Sequence, residues 1–391
     1  MSAQQPTRRT VTLALDMVGD DERRARIAWS RLLEPGRERP RHDSSALAAA
    51  IEQDGHVLAW QRLCAGDLDR AESARARVAE VDVDAEIDRV RRIGARTLIP
   101  GDEEWPSALD HPSVAPHLIY VRGAGRLDLL ARRSVAVVGS RASSGYGEAV
   151  AREIGNGLTR AGWSVVSGAA FGIDAAAHHG GLTGEQGCVA VLPCGPDRIY
   201  PASHARLIDA VSREGVVITE LATGMTAQRH RFLSRNRIIA GLSRAVVVVE
   251  AGLRSGSLNT AGWAESMHIP VAAVPGPVTS MASAGCNEWI AAGRAQLVVD
   301  AGDVIRLAGH IGEIDGEEVE RLGPARSADV LTQHQRRVHD LLRVRKETTV
   351  GELASALLMP VEEILAQLGV LSVQGWAVQG EFGGWLRGEG R

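Results

Sequence analysis

The chain has 391 residues, 45% hydrophobic and 24% charged, the balance of a globular protein of two or three domains and not of a disordered one. Its 44 lysines and arginines against 48 aspartates and glutamates leave a formal charge of −4, so the molecule as a whole is not a basic nucleic-acid binder and any such role rests on a local patch. No apolar run reaches the roughly 18 residues of a membrane span; no CxxC joins Cys64, Cys188, Cys194 and Cys286, which read as reduced thiols of a cytoplasmic protein; and Lys346, the sole lysine, has no glycine loop before it, which excludes a Walker A site.

Residues 1–96 read as a helical, SAM-like domain, with helical stretches such as Asp21–Trp29 and Asp67–Arg92 interrupted at Gly36 and Pro40. A connecting segment, Leu98–Pro106, leads to the apolar run Leu118–Val121. From residue 134 the pattern changes to short, β-branched apolar runs (Ser134–Val138, Trp163–Val166, Val189–Leu192, Val216–Thr219, Ala245–Val249, Val271–Val274, Leu297–Val299) alternating with helical stretches. Such strands are covered on both faces, so residues 97–310 are expected to form an α/β domain with a Rossmann-like, doubly wound, mostly parallel sheet. Residues 311–329 are polar and Gly/Pro-punctuated, a linker. Over 330–391, three helical patterns (Gln333–Leu342, Val350–Leu357 behind Thr348 and Thr349, Val361–Val373) and two short strands around a turn predict a winged helix.

Ligands of doubly wound sheets sit outside the carboxyl ends of the strands. There, after the first strand, Gly139-Ser140-Arg141 precedes a small-residue turn into a helix. Such a turn presents backbone N–H groups and a helix N-terminus to an anion, and Arg141 adds a fork for phosphate. The glycine spacing is not GxGxxG, and the second strand ends in Ser167-Gly168 rather than in a ribose-binding acid, which disfavours NAD. Ser167, Gly168, Ala169 and Gly172 repeat the small-residue recipe, so two adjacent loops are expected to hold adjacent phosphates. His178 lacks clustered metal ligands and reads as a hydrogen-bonded helix residue. The stretch Leu221–Val249 has no acid and five arginines, Arg229, Arg231, Arg235, Arg237 and Arg244, with Phe232 among them. Arginines beside an aromatic ring hold single-stranded nucleic acid, cations on phosphates and a ring under a base. An exposed crest is therefore expected; the alternatives are arginines paired with acids elsewhere and a core Phe232. Ser255-Gly256-Ser257 opens a further helix behind Glu250, a lone carboxylate read as a cap for that loop, and Cys286 has no base beside it.

Taken together, Val138-Gly139-Ser140-Arg141, Tyr146-Gly147, Ser167-Gly168 through Gly172-Ile173-Asp174 with Ala177-His178, Tyr200-Pro201, Phe232, Arg235-Asn236-Arg237-Ile238-Ile239, Glu250-Ala251, Ser255-Gly256-Ser257, Pro275-Gly276 and Gly285-Cys286-Asn287 resemble the DNA-processing protein A family (DprA, also called Smf). The resemblance covers the Rossmann-like domain and both flanks. It implies a non-enzymatic, cofactor-free homodimer that binds single-stranded DNA and loads the RecA recombinase onto it, displacing single-strand-binding protein during natural transformation. It further implies that Arg141 contacts phosphate and that loop 167–172 cradles the DNA backbone. Phe232 with Arg235, Asn236 and Arg237 supplies stacking and polar contacts, and Arg229 is the basic residue ahead of the aromatic. Leu233 stands where the family has proline, and His204 where it has asparagine. The runner-up reading is a nucleotide phosphoribohydrolase, echoed by Ser255–Thr260 with Glu265 but lacking the Pro-Gly-Gly-x-Gly-Thr core of such sites. A duplex reader using Val361–Val373 is opposed by Glu362 and Glu363 and the lack of any arginine there.

Overall fold

Amphipathic sequence near the start folds into α1 (Arg8–Val18), α2 (Glu22–Leu32), α3 (His42–Ala65, broken at Gly55), α4 (Glu72–Arg77) and α5 (Val83–Arg92). Asp21 and Asp82 cap α2 and α5, each accepting a hydrogen bond from the N–H three residues on. The computed structural model describes residues 8–35, 42–309, 331–344, 346–380 and 382–388; Gly36, Pro40 and the linker read at 311–329 lie outside them. Two compact units divide the chain, Met1–Ile314 and Asp315–Arg391. The helical region and the sheet thus share the first unit. Trp29 and Trp60, fully buried and edge-to-face at 5.4 Å, pack in one core with Leu118, Tyr120 and Ala222 from the sheet side.

The sheet is assembled from β1 (Ala95–Leu98), β2 (Ile119–Arg122), α6 (Leu127–Arg132), β3 (Ser134–Val138), α7 (Gly145–Arg160), β4 (Ser164–Ser167), α8 (Ile173–Gly181), β5 (Cys188–Val191), α9 (Ala205–Glu214), β6 (Val216–Thr219), α10 (Arg229–Gly241), β7 (Ala245–Val248), α11 (Ser257–Ser266), β8 (Val271–Ala273), α12 (Ala284–Ala291), β9 (Gln296–Leu297) and α13 (Ala301–Ala308). Strand order is β1-β2-β6-β5-β4-β3-β7-β8-β9. The seven strands β3 to β9 are parallel, and β1 and β2 add an antiparallel edge. Alternation along β3 sends Val135 and Val137 into one core and Ala136 and Val138 into the other, which is why these strands read as unbroken apolar runs. β1 was not expected: Arg96 and Thr97 carry no strand pattern, and pairing with β2 makes the strand. The order reverses at β3, between β4 and β7, a switch point whose crevice opens at the carboxyl ends.

In the second unit, Thr332 and Thr349 form capping boxes with Gln335 and Glu352 at the starts of α14 (Gln333–Leu341) and α15 (Val350–Leu357). Thr348, also expected at that cap, instead bridges Trp385. α16 (Val361–Val373) and the antiparallel pair β10 (Ala377–Gln379) and β11 (Trp385–Arg387) follow. Val338, Leu353, Ile364, Leu368 and Leu371 make the core of this unit. Among the described residues no single helix is long and apolar enough to cross a membrane.

Candidate nucleic-acid interface

A cavity of about 790 Å³ opens at the switch point. Its lining comes from the loop after β3 (Gly139, Ser140, Arg141), the loop after β7 (Arg254, Ser255, Gly256, Ser257), the first turns of α10 (Arg229, Phe232, Leu233, Arg235, Asn236) and Tyr200. α10 reaches this place because it carries the chain from β6, on one side of the sheet, to β7, across the point where the strand order turns.

Arg141, three residues beyond β3, is exposed and lays its guanidinium over the Phe232 ring, 4.4 Å from the centroid. Tyr200 meets the same ring edge-on at 5.3 Å. Phe232 is half-buried at the cavity wall and not a core residue. Arg229 and Arg254 are exposed, and among the described residues neither they nor Arg141 forms an ion pair. Arg254, directly before the hydroxyl loop, was legible in the sequence as a cation beside Ser255 and was passed over.

The remaining arginines depart from the expected crest. Arg237, 8% exposed, holds Glu220 through two hydrogen bonds of 2.6 Å. Arg231, 6% exposed, grips Glu34 at 2.5 and 2.9 Å. Arg235, 5% exposed, reaches the cavity wall, but its Nη1 donates to the carbonyl oxygens of Gly168 (2.7 Å) and Val191. Asn236 is spent on Asn259, at 3.1 Å. The reason is that α10 is a crossover helix packed on nearly every side, so its cations must find acids and carbonyls from other segments. Glu220, which bounds the acid-free stretch, is itself one of those partners.

The loop after β4 is also occupied. Ser167 donates to the Val137 carbonyl at 2.7 Å. The N–H groups of Gly168 and Ala170 point to the Asp174 carboxylate at 3.2 and 3.4 Å. Burial pushes that carboxyl up despite Arg235 at 3.9 Å, and burial also pulls the Arg235 guanidinium down to about 10. A methyl group on Gly168 would overlap the Arg235 guanidinium. Ala169 is buried at φ +52° and Gly172 turns the chain at φ +74° against the carbonyl of Ser140. The Ser167 hydroxyl and the amides of Gly168 and Ala170 are therefore engaged by the protein's own groups and not left open for phosphate.

Glu250 accepts hydrogen bonds from Ser144 N (2.8 Å) and Oγ (2.6 Å) and so fixes the turn into α7, not the Ser255-Gly256-Ser257 loop it was expected to cap, because β7 lies beside β3 and its end faces the loop after that strand. Ser255 and Ser257 share a 2.7 Å hydrogen bond at the start of α11. Glu265 lies at the far end of α11, exposed and paired with Arg294, away from the cavity. His178 is wholly buried. Burial drives its imidazole down to about 3, so it is neutral. Among the described residues no three His, Cys, Asp or Glu side chains gather as for a metal ion.

The model of the DNA recombination-mediator protein A family matches residues 96–309. A putative DNA processing protein DprA of Mycobacterium tuberculosis is 41% identical over 372 residues, 92% of each chain. Protein Smf of Escherichia coli is 35% identical over 295 residues, 74% of this chain and 77% of its own. The X-ray structure of DNA processing protein A from Streptococcus pneumoniae matches with a TM-score of 0.59 at 29% identity, covering 79% of this chain and 100% of that one.

Proposed function

The chain belongs to the DNA recombination-mediator protein A family, and from that premise we propose that it binds single-stranded DNA in the switch-point cavity and delivers the strand to the RecA recombinase in place of single-strand-binding protein. One observation carries the binding reading: Arg141 stacked on Phe232 at the mouth of a cavity that also presents Arg229 and Arg254. Three exposed guanidiniums supply the phosphate term, and a ring on a rigid helix supplies a face for an unpaired base. A duplex hides its base faces, so the ring favours single strands. Arg235, Asn236 and Arg237 act in this reading as the scaffold that sets the ring and not as DNA contacts. The protein works by binding and not by turnover, as a homodimer whose two cavities share one strand and gain avidity. The second unit is an accessory winged helix. Competition mobility shifts of the full chain with single- and double-stranded oligonucleotides at two salt concentrations test this reading. Single strands are expected to win, with affinity falling as salt rises; equal binding of duplex, or none of either, overturns it. Faster RecA filament growth on strands coated with single-strand-binding protein is the matching expectation for delivery.

A further inference from the structure

Phe171 stands out in the loop after β4. Its neighbours Ala169 and Ile173 are completely buried, yet Phe171 keeps 47% of its surface exposed. It is not loose: it meets the His204 ring edge-on, 4.7 Å between centroids at 65°. His204 is itself fixed, its Nδ1 donating to the Ala169 carbonyl oxygen at 3.0 Å. Four residues earlier on the same segment Tyr200, 42% exposed, makes the equivalent edge-on contact with Phe232. Segment 200–204 therefore backs two rings, one at each end. Ala170, just before Phe171, lines the cavity. Arg141 belongs to both ends, its guanidinium over Phe232 and its carbonyl against Gly172.

We propose that Phe171, backed by His204, is a second base-stacking platform, so that the site seats two unpaired bases, one on Phe232 and one on Phe171, with Arg141 held between them for the joining phosphate. The inference rests on the single-stranded DNA reading above and names a subsite of that same site. Recognition is by π-face and tolerates any base. The cationic surroundings suit a polyanion and not an apolar protein surface.

The test uses the full chain, with a labelled oligodeoxythymidylate titrated into wild type, Phe171→Ala, Phe171→Trp and Phe232→Ala. Phe171→Ala is expected to bind about tenfold more weakly, a single lost stack, with an unchanged melting temperature because the side chain is half in solvent. Phe171→Trp is expected to bind as wild type, and the fluorescence it adds to that of wild type is quenched by the oligonucleotide and not by a duplex. If Phe232→Ala weakens binding while Phe171→Ala does not, and the added fluorescence of Phe171→Trp is indifferent to the strand, the second platform is refuted and the DNA reading stands. If wild type binds no single strand, the reading itself falls.

Discussion

Truncating Arg141 removes a guanidinium from solvent and uncovers the Phe232 ring, whereas truncating Arg237 strands a carboxylate in the protein interior. The two changes should therefore read out differently. Arg141→Ala is expected to leave stability unchanged, weaken single-strand binding, and flatten the plot of log affinity against log salt by about 0.7 per lost phosphate contact; an unchanged slope in a salt-series titration refutes the contact. Arg237→Ala leaves Glu220, itself 8% exposed, without its partner. Loss of one member of a buried pair costs about 3–5 kcal/mol. Denaturant unfolding of Arg237→Ala should show that loss, and the salt slope of whatever native protein remains should match wild type.

At the level of the element, α10 begins with Arg229, His230 and Arg231 at the positive end of its dipole, with no side-chain cap from Gln228, an unfavourable start. Glu34, just beyond α2, relieves it by accepting from His230 at 2.7 Å and from Arg231. The helical region thus holds the first turn that carries Arg229 and Phe232. Burial raises the Glu34 carboxyl, but the hydrogen bonds and charges of Arg231 and His230 outweigh it, and the net pKa is lowered. A lowered acid is deprotonated in the folded state where the unfolded state still holds its proton, so its stabilisation is complete above the ordinary glutamate range and lost as pH falls through the lowered value. Glu34→Gln is expected to cost about 1.5–3 kcal/mol at neutral pH, less any share screened by solvent. The gap to wild type should close in acid; a gap independent of pH in paired denaturation curves removes Glu34 from this role.

Across the whole first unit, burial sets the acid limit. The imidazoles of His56, His117 and His178 are all pushed down to about 3 by burial. The unfolded chain takes up protons on these groups near pH 6.5 and the folded chain does not, so stability falls as pH drops from about 6.5 toward 3, at up to about 1.4 kcal/mol per pH unit for each imidazole. Melting temperatures between pH 7 and pH 5 should decline accordingly, and His178→Asn should shallow the decline; a flat profile over that interval contradicts the neutral buried state. The same unit ties helices to sheet through Glu86, fully buried, which accepts from Thr223 N at 2.8 Å and Oγ1 at 2.6 Å in the loop leading to α10.

Six of the seven apolar runs, the small-residue turns after them and the ring among arginines are local patterns, and local physics is enough to place them: a strand covered on both faces must be apolar throughout, and a turn into a helix must be small; the run read at Leu297–Val299 is instead β9, Gln296–Leu297, exposed at the sheet edge. Family membership was legible for the same reason, since its motifs are those turns. Which arginines face DNA was not legible. Arg231 finds Glu34 across 197 positions and Arg237 finds Glu220 across 17, and nothing along the chain marks those meetings. Which loops stand beside one another was decided only when β4, β3 and β7 were laid side by side. Strand order decides which loops share a crevice and burial decides which cations are already neutralised, and both are properties of the packed molecule.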